Sequence, residues 1–366
     1  MAMQEGLREG PARPVNRFRL RRSDGDRSRI AIAAIAALAV ASLLSLVFCV
    51  TTGAADASAF DVLASLFGRA DALARDRIII LDIRLPRAIL GFLVGASLAV
   101  SGAIMQGLFR NPLADPGLVG VSSGASLGAV VMIVLGGSVA APATALLGIY
   151  ALPLAAFAGG LLTTLILYRI ATRSGQTSVA TMLLAGIALG ALTMAFTGIL
   201  ISKADDKQLR DLTFWGMGSL AGATWTKIAA GGPVMALALA AIPFLSRRLN
   251  AMTLGEAAAF HMGVSVQRLK TVAIVTVAAA TGASVAVSGG IGFVGIVVPH
   301  ILRMAIGPDH RYLLPAAALL GGSLLIFADL LARTVVAPAE LPIGIITAAV
   351  GGPFFLWILL RQRAHL

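Results

Sequence analysis

The chain has 366 residues, of which 58% are hydrophobic and only 13% charged, with a mean hydropathy of +0.91. Soluble domains carry about a quarter charged residues, so this composition excludes an ordinary water-soluble protein, and no run of alternating strands supports a β-barrel. The net charge of +12 does not indicate nucleic acid: most cations fall on one side if apolar segments alternate across a membrane, so the basic balance reports topology and contact with anionic membrane lipid.

Residues 1–29 mix Arg, Pro, Gly and Asp without periodicity, include eight arginines from Arg8 to Arg29, and read as a disordered cytoplasmic tail. Ten apolar segments follow, most near the ~20 residues a spanning helix needs. They lie at roughly 30–50, 88–109, 117–138, 144–168, 179–201, 228–245, 271–288, 291–306, 312–332 and 341–360. The eighth is short and nearly touches the seventh, so nine or eleven spans are open alternatives. Residues 362–366 form a short C-terminal end on the same side as the tail. The first apolar run exceeds the ~7–15 residues of a cleavable signal core, and bulky Phe48 before Cys49 argues against lipoprotein-type cleavage. An uncleaved first span is the expectation, and one cysteine allows no internal disulfide.

Residues 52–87 form the largest outer loop and end in IRLPRAIL, where Arg84 and Arg87 flank Pro86 just ahead of the second span. Proline in a first helical turn is tolerated, because its missing N–H would be unpaired anyway. The two arginines read either as headgroup anchors or as fixed outward cations for a partner's carboxylates. Next, FRNPLADPGLVGVSSGASLGA at 109–129 interrupts the apolar pattern at the inner face. It is either a tight turn, with Asn111 and Asp115 satisfying free backbone, or a hinge or gate. Residues 202–227 make a second outer segment, in which Trp215 and Trp225 suit the membrane interface. The only large inner loop, 247–270, holds TLGEAAAFHMGVSVQRLK, a short solvated helix with a glycine-marked end, between Arg247, Arg248 and the basic pair Arg268 and Lys270. In the ninth span Asp329 and Arg333 are spaced as an i,i+4 ion pair.

GASLAVSGAI at 95–104 and GASVAVSGGI at 282–291 agree at eight of ten positions. Coincidence in an Ala/Gly-rich chain is one account. The other is duplication: the copies lie on spans two and seven, and an odd separation inverts their orientation, as in transporter repeats. Their small residues Gly95, Ser101, Gly102, Gly282, Ser288 and Gly289 would let backbones approach closely.

No G-x-x-x-x-G-K-[ST] occurs and Lys270-Thr271 lacks the preceding glycine, so the chain holds no P-loop for ATP. No extramembrane piece reaches the ~100–150 residues of a catalytic domain, so no enzyme activity is expected of it. His261, His300, His310 and His365 show no ligand spacing, and neither a metal site nor a bound cofactor is expected.

Three stretches carry a resemblance: RLPRAILGFLVGASLAVSGAIMQGLFRNPLADPGLVGVSSGASLGA, GGIGFVGIVVPHILRMAIGPDHR and AELPIGIITAAVGGPFFLWILL. They resemble the FecCD-type permeases, membrane subunits of type II ABC importers for iron-siderophores, haem and cobalamin, over residues 30–361. The resemblance implies an all-α polytopic membrane protein of ten helices per subunit. It also implies a homodimer with the path at its interface, two ATP-binding cassette subunits inside holding ATP and Mg, and a periplasmic substrate-binding protein outside. It places the chain in the bacterial inner membrane with both termini cytoplasmic. Arg84, Arg87 and Arg333 match the positions that dock the binding protein. Asn111 and Leu113, with Thr177 and Ser178 before span five, match cytoplasmic gates. Leu254, Gly255, Glu256, Ala257, Ala258, Gly263 and Val264 match a coupling segment of two short helices that seats in the ATPase. The stretch DDKQLRDLTFWGMGSL resembles haem permeases, which implies haem as cargo; a ferric siderophore or cobalamin is the alternative. A secondary carrier driven by an ion gradient is the alternative of another class.

Overall fold

The computed structural model describes residues 27–53, 55–66, 73–174 and 176–363; the tail expected over 1–29 and the C-terminal end lie almost wholly outside them. The described chain is helical throughout except for two short strands, β1 (Thr172–Arg173) and β2 (Gln176–Thr177), paired antiparallel with Thr172 opposite Thr177. The helices are α1 (Ser28–Thr51), α2 (Ala59–Leu66), α3 (Ala74–Arg77), α4 (Leu85–Phe109), α5 (Val121–Leu135), α6 (Ala141–Leu147), α7 (Ala151–Ala171) and α8 (Val179–Ile201). They continue as α9 (Asp206–Gly216), α10 (Trp225–Ala240), α11 (Ile242–Met252), α12 (Glu256–His261), α13 (Val266–Ser288), α14 (Val294–Ile306), α15 (His310–Thr334) and α16 (Ile343–Arg363).

Six helical runs are long and apolar enough to cross a membrane, α10 and α11 form one bent candidate span, and three shorter apolar helices lie at α5, α14 and α16. Their order reproduces the ten expected segments, and the protein is an all-α polytopic membrane protein. The 48° bend between α10 and α11 has a local cause in Pro243, in the first turn of α11, which cannot continue the hydrogen-bond ladder of the helix before it.

The second span differs from its expected start. The helix begins at Ala74 rather than near residue 88, and a π-helical stretch, Ile78–Arg84, joins α3 to α4. Pro86 has no N–H to give to a carbonyl one turn back, and the wider π turn accommodates that missing bond. Arg84 and Arg87 therefore sit within a helix and not ahead of one.

Helix α4 is the axis of the bundle. It is buried along nearly its whole length and packs on α15, α13, α14 and α10. Close approach explains the small residues: a Cβ added to Gly95 would meet the Gly321 carbonyl of α15, and one added to Gly102 would meet the Gly295 carbonyl of α14. At these two points the helices touch backbone to backbone. Gln106 follows one turn later and donates to the Gly295 carbonyl at 3.1 Å. By contrast α8 presents Leu184, Ile187 and Met194 on its outside, an apolar surface that lipid can cover without cost.

The two ends of the bundle can be told apart. The end of α4, at Leu108 and Phe109, shares a cavity with Gln267 and Lys270 at the start of α13. At the other end Ser219 donates to the Ser288 carbonyl at 2.8 Å, and the adjacent Leu220 packs on Gly91 near the start of α4. Helices α4 and α13 thus run antiparallel, the orientation an inverted duplication requires. The links that follow them both turn back at mid-depth: Asp115, Pro116 and Phe293 line one cavity of about 260 Å³ with Leu98, Thr281 and Gly295.

Substituting Gly102→Val should destabilise the protein by about 1–3 kcal/mol through overpacking. Gly190→Ala, on α8 with open space around it, should be neutral or stabilising. Thermal unfolding of the detergent-solubilised protein checks the contrast.

Candidate functional site

Two places concentrate polar chemistry, one at each end of the bundle. At the end where α1 finishes, three arginines converge. Arg87 grips Asp329 of α15, with Nε at 2.9 and 3.0 Å from Oδ2 and Oδ1 and Nη2 at 2.9 Å from Oδ1, and its Nη1 reaches Glu340 Oε1 at 2.9 Å. The fork geometry of the guanidinium matches a carboxylate, which is why arginine suits a buried pair. The last turn of α1 leaves carbonyls without helical partners, and arginines serve them. Arg84 donates to Val50 and Thr51 at 3.2 and 3.1 Å and to Ala55, while Arg333 donates to the Cys49 carbonyl at 2.7 Å. Cations at a helix C-terminus also complement its dipole.

This arrangement corrects two expectations. Arg84, Arg87 and Arg333 are 3%, 6% and 6% exposed, so they are not free outward cations but are held by groups of the chain itself. The expected i,i+4 pair of Asp329 with Arg333 is loose, at 3.9 Å, because Arg87 from a distant helix takes the carboxylate first. In this network Glu340 is the accessible acid, its side chain 39% exposed.

At the opposite end, α11 stays packed in the bundle down to Met252, which is buried, and the chain then reverses twice. Gly255 and Gly263 hold φ of +104° and +82°, a region costly for any residue with a Cβ. Between them lies α12, six residues long. One short helix occupies the segment instead of two, because the residues after Gly263 are taken up by α13 from Val266 onward. Ala259 is buried against the bundle, Ala258 and Val264 are half-buried, and Ala257 is exposed. Leu254, Phe260 and Met262 project at 69%, 68% and 52% exposure. His261 is exposed beside Phe260, ring edge to ring face at 6.0 Å. A cluster of apolar side chains on a loop outside the apolar spans is a surface that a partner would cover.

The gate candidates lie beside it. Thr177 in β2 donates its N–H to Gln267 Oε1 at 3.0 Å, and its carbonyl accepts from Lys270 Nζ at 2.8 Å. Ser178 caps α8, its Oγ accepting from Thr181 N–H at 3.2 Å. Lys270, 3% exposed, also pairs with Glu256 Oε1 of α12 at 2.8 Å. The structure therefore brings the 172–178 hairpin, α12 and the start of α13 together around a cavity of about 650 Å³, to which Arg110 and Arg173 also contribute. Asn111 and Leu113 lie just past Arg110 in a tight turn, the Asn111 Oδ1 accepting from Leu113 N–H at 2.9 Å, so the turn reading describes them in this conformation.

A second tether holds this end. Asn250 of α11 donates to Asp309 Oδ1 at 2.6 Å and accepts from His310 N–H at 2.8 Å. Partial burial works against the charge on Asp309, but hydrogen bonds from Arg311 and Asn250 outweigh it and hold its carboxyl down at about 2.

The sequence reading missed Asp329 and Glu340 as partners of Arg87, and Lys270 and Gln267 as holders of Thr177. The pairs are hundreds or tens of residues apart and carry no spacing signal. Phe260 and Met262 were legible in principle, as apolar residues within an otherwise solvated helix.

Nine apolar segments around a tenth, the buried axial helix α4, with an apolar-tipped loop at one end, define a multi-pass membrane protein. The signature of the FecCD transport family spans residues 37–361, and the chain belongs to that family, whose members are permease subunits of ABC importers. It is 49% identical to the hemin transport system permease protein HmuU of Yersinia pestis over 284 residues, 77% of this chain and 83% of that protein. It is 45% identical to the cobalamin import system permease protein BtuC of Halobacterium salinarum over 287 residues, 78% and 74% of the two chains. The vitamin B12 import system permease protein BtuC of Escherichia coli O9:H4 is 44% identical over 295 residues, 79% and 86%. Among solved structures, one described as an inward-facing conformation of a metal-chelate type ABC transporter superposes with a TM-score of 0.76 at 30% identity, covering 91% of this chain and 99% of that one.

Asp329→Ala should cost about 3–5 kcal/mol, because it leaves Arg87 buried and half-paired. Glu340→Gln, at a half-exposed pair, should cost about 1 kcal/mol or less. Unfolding midpoints of the two variants check the ranking.

Proposed function

We propose that this chain is the permease subunit through which an ABC importer moves haem across the bacterial inner membrane. Two copies form the path between them, two ATPase subunits bind at the basic end, and a periplasmic binding protein delivers the ligand at the other. Both termini then face the cytoplasm. The observation that carries the energy source is the loop 253–265. It is built on two left-handed glycines, buries Ala259 as its root, and exposes Leu254, Phe260 and Met262 to a partner. A chain with no P-loop of its own needs such a contact if ATP is to drive it, and force on a rigid loop can switch packed helices between two arrangements. Arg84, Arg87 and Arg333 serve the binding protein by trading an internal carboxylate or carbonyl for one of the partner's, with half-exposed Glu340 the first to be displaced. Asn111, Leu113, Thr177 and Ser178 line the inner exit.

Haem is favoured by the relative at 49% identity, a hemin permease. Cobalamin is the second reading, supported by relatives at 45% and 44%. Proteoliposomes containing the permease, its ATPase and its binding protein separate the two. Haemin should stimulate ATP hydrolysis and cobalamin should not; stimulation by cobalamin alone would reverse the assignment, and uptake without any ATPase would favour the ion-driven carrier.

Replacing Glu256 or Gly263 with tryptophan should leave membrane insertion intact yet reduce ATP-driven uptake by about tenfold or more, the scale of a coupling energy of 1–3 kcal/mol. Uptake at the level of the unaltered protein would show that the coupling contact lies elsewhere.

A further inference from the structure

We propose that Lys270 is the positioning residue that ties the movement of α12 to the start of α8. This rests on the permease reading above and adds the internal route by which the loop acts. Three observations carry it. First, the Lys270 ammonium is nearly sealed from solvent, at 3% exposure, and holds two acceptors on different elements: the Glu256 carboxylate at the first turn of α12 and the Thr177 carbonyl of β2, each at 2.8 Å. A lysine has three donors and no acceptor, and a buried ammonium strongly resists losing a partner. Displacing α12 therefore pulls on the ammonium, and the ammonium pulls on Thr177.

Second, both main-chain groups of Thr177 belong to this contact. Its N–H goes to Gln267 Oε1 at 3.0 Å and its C=O accepts from Lys270. Gln267 and Lys270 stand three apart in the first turns of α13, neighbours on one helix face, so β2 is clipped to α13 through both main-chain polar groups of a single residue, Thr177. Third, the next residue, Ser178, is the N-cap of α8, with its Oγ on Thr181 N–H and its own N–H on the Ala171 carbonyl at 2.9 Å. Rotation of Thr177 is thereby delivered to the first turn of an apolar helix, α8, that is largely exposed on the bundle surface and packs mainly on α5 and α7 rather than on the central α4.

Lysine suits this role better than a neutral donor. A glutamine has two N–H donors but no charge, and would leave the Glu256 carboxylate without its counter-ion. An apolar residue would break both links while still filling the site. The link from loop to hairpin thus depends on a charge at 270, and the link from α12 to Lys270 depends on a carboxylate at 256.

Hydrogen exchange on the assembled permease–ATPase complex in nanodiscs, with and without MgATP, tests the route. In the unaltered complex MgATP should change exchange at 254–262 and at 172–178 together. In Lys270→Met the change at 254–262 should persist, while the change at 172–178 shrinks by about tenfold; Lys270→Arg should restore it. Glu256→Ala, which removes the acceptor on α12 and keeps the bond from Lys270 to Thr177, should also lose the response at 172–178, and it serves as the test if Lys270→Met fails to assemble. A full response at 172–178 in Lys270→Met or in Glu256→Ala would overturn the proposal alone. No MgATP-dependent change at 254–262 in the unaltered complex would overturn the permease reading and the proposal with it.

Discussion

The close contact of α4 with α14 and α15 is the constraint on which the other features hang. Gly95 and Gly102 carry no Cβ, and the carbonyls of Gly321 and Gly295 occupy the space one would need. Without a hydrophobic drive between helices in lipid, such backbone approach supplies packing that larger side chains cannot. It also sets the distance across which side chains can pair. Arg87, above this contact, reaches Asp329 at 2.9 Å, and Gln106, below it, reaches the Gly295 carbonyl at 3.1 Å and receives a hydrogen bond from Arg303. A wider spacing at the glycines would leave charged or amide groups buried and unpaired at both ends.

The polar groups of the bundle follow from the same scarcity of water. The last carbonyls of α1 are served by Arg84 and Arg333, and the first donors of α8, α10 and α15 by Ser178, Thr224 and Asp309. Each cap is a side chain next to the helix end it satisfies, the inexpensive solution where water is scarce. Where the chain runs without an α-helix, at 110–120 and 289–293, Asp115, Pro116 and Gly290 to Phe293 border one small cavity inside the protein.

Most of the architecture was legible in the sequence because spans announce themselves by length and hydropathy. Ten apolar segments, their order and the antiparallel echo on α4 and α13 all depend on local composition, whereas of the loop expected at 247–270 only 253–265 lies between helices α11 and α13. The errors arose where a partner came from far along the chain. Arg84 and Arg87 looked like outward cations because their flanking proline marks a helix start; the π turn at Ile78–Arg84 extends the helix past them, and Asp329, 242 residues away, claims Arg87. Lys270 looked like a basic anchor for the same reason: nothing local reveals that Thr177 lies above it. The second helix expected in the coupling loop vanished because Val266, Leu269 and Lys270 are buried, which draws that stretch into α13.

If the loop 253–265 is the ATPase contact proposed above, the division between rigid and yielding parts gives it its leverage. α4 and α13 are buried and mutually clasped, so they behave as a frame. α12 is attached to that frame by the burial of Ala259, by the two glycine turns and by Glu256. α8 packs mainly on α5 and α7, outside that frame, and is tied to α13 at its first turn through Ser178 and Thr177. A force on Leu254, Phe260 and Met262 cannot easily move the frame, and it cannot be absorbed by solvent at Lys270, which is sealed. What can yield is the hairpin and the helix it caps, and α8 is the span whose surface is least committed to this chain. Because interlocked helices tend to have discrete arrangements rather than a continuous range, displacement at the loop would on that proposal resolve into one of two positions for α8. Alternating exposure of the path then requires no more of this chain than that choice.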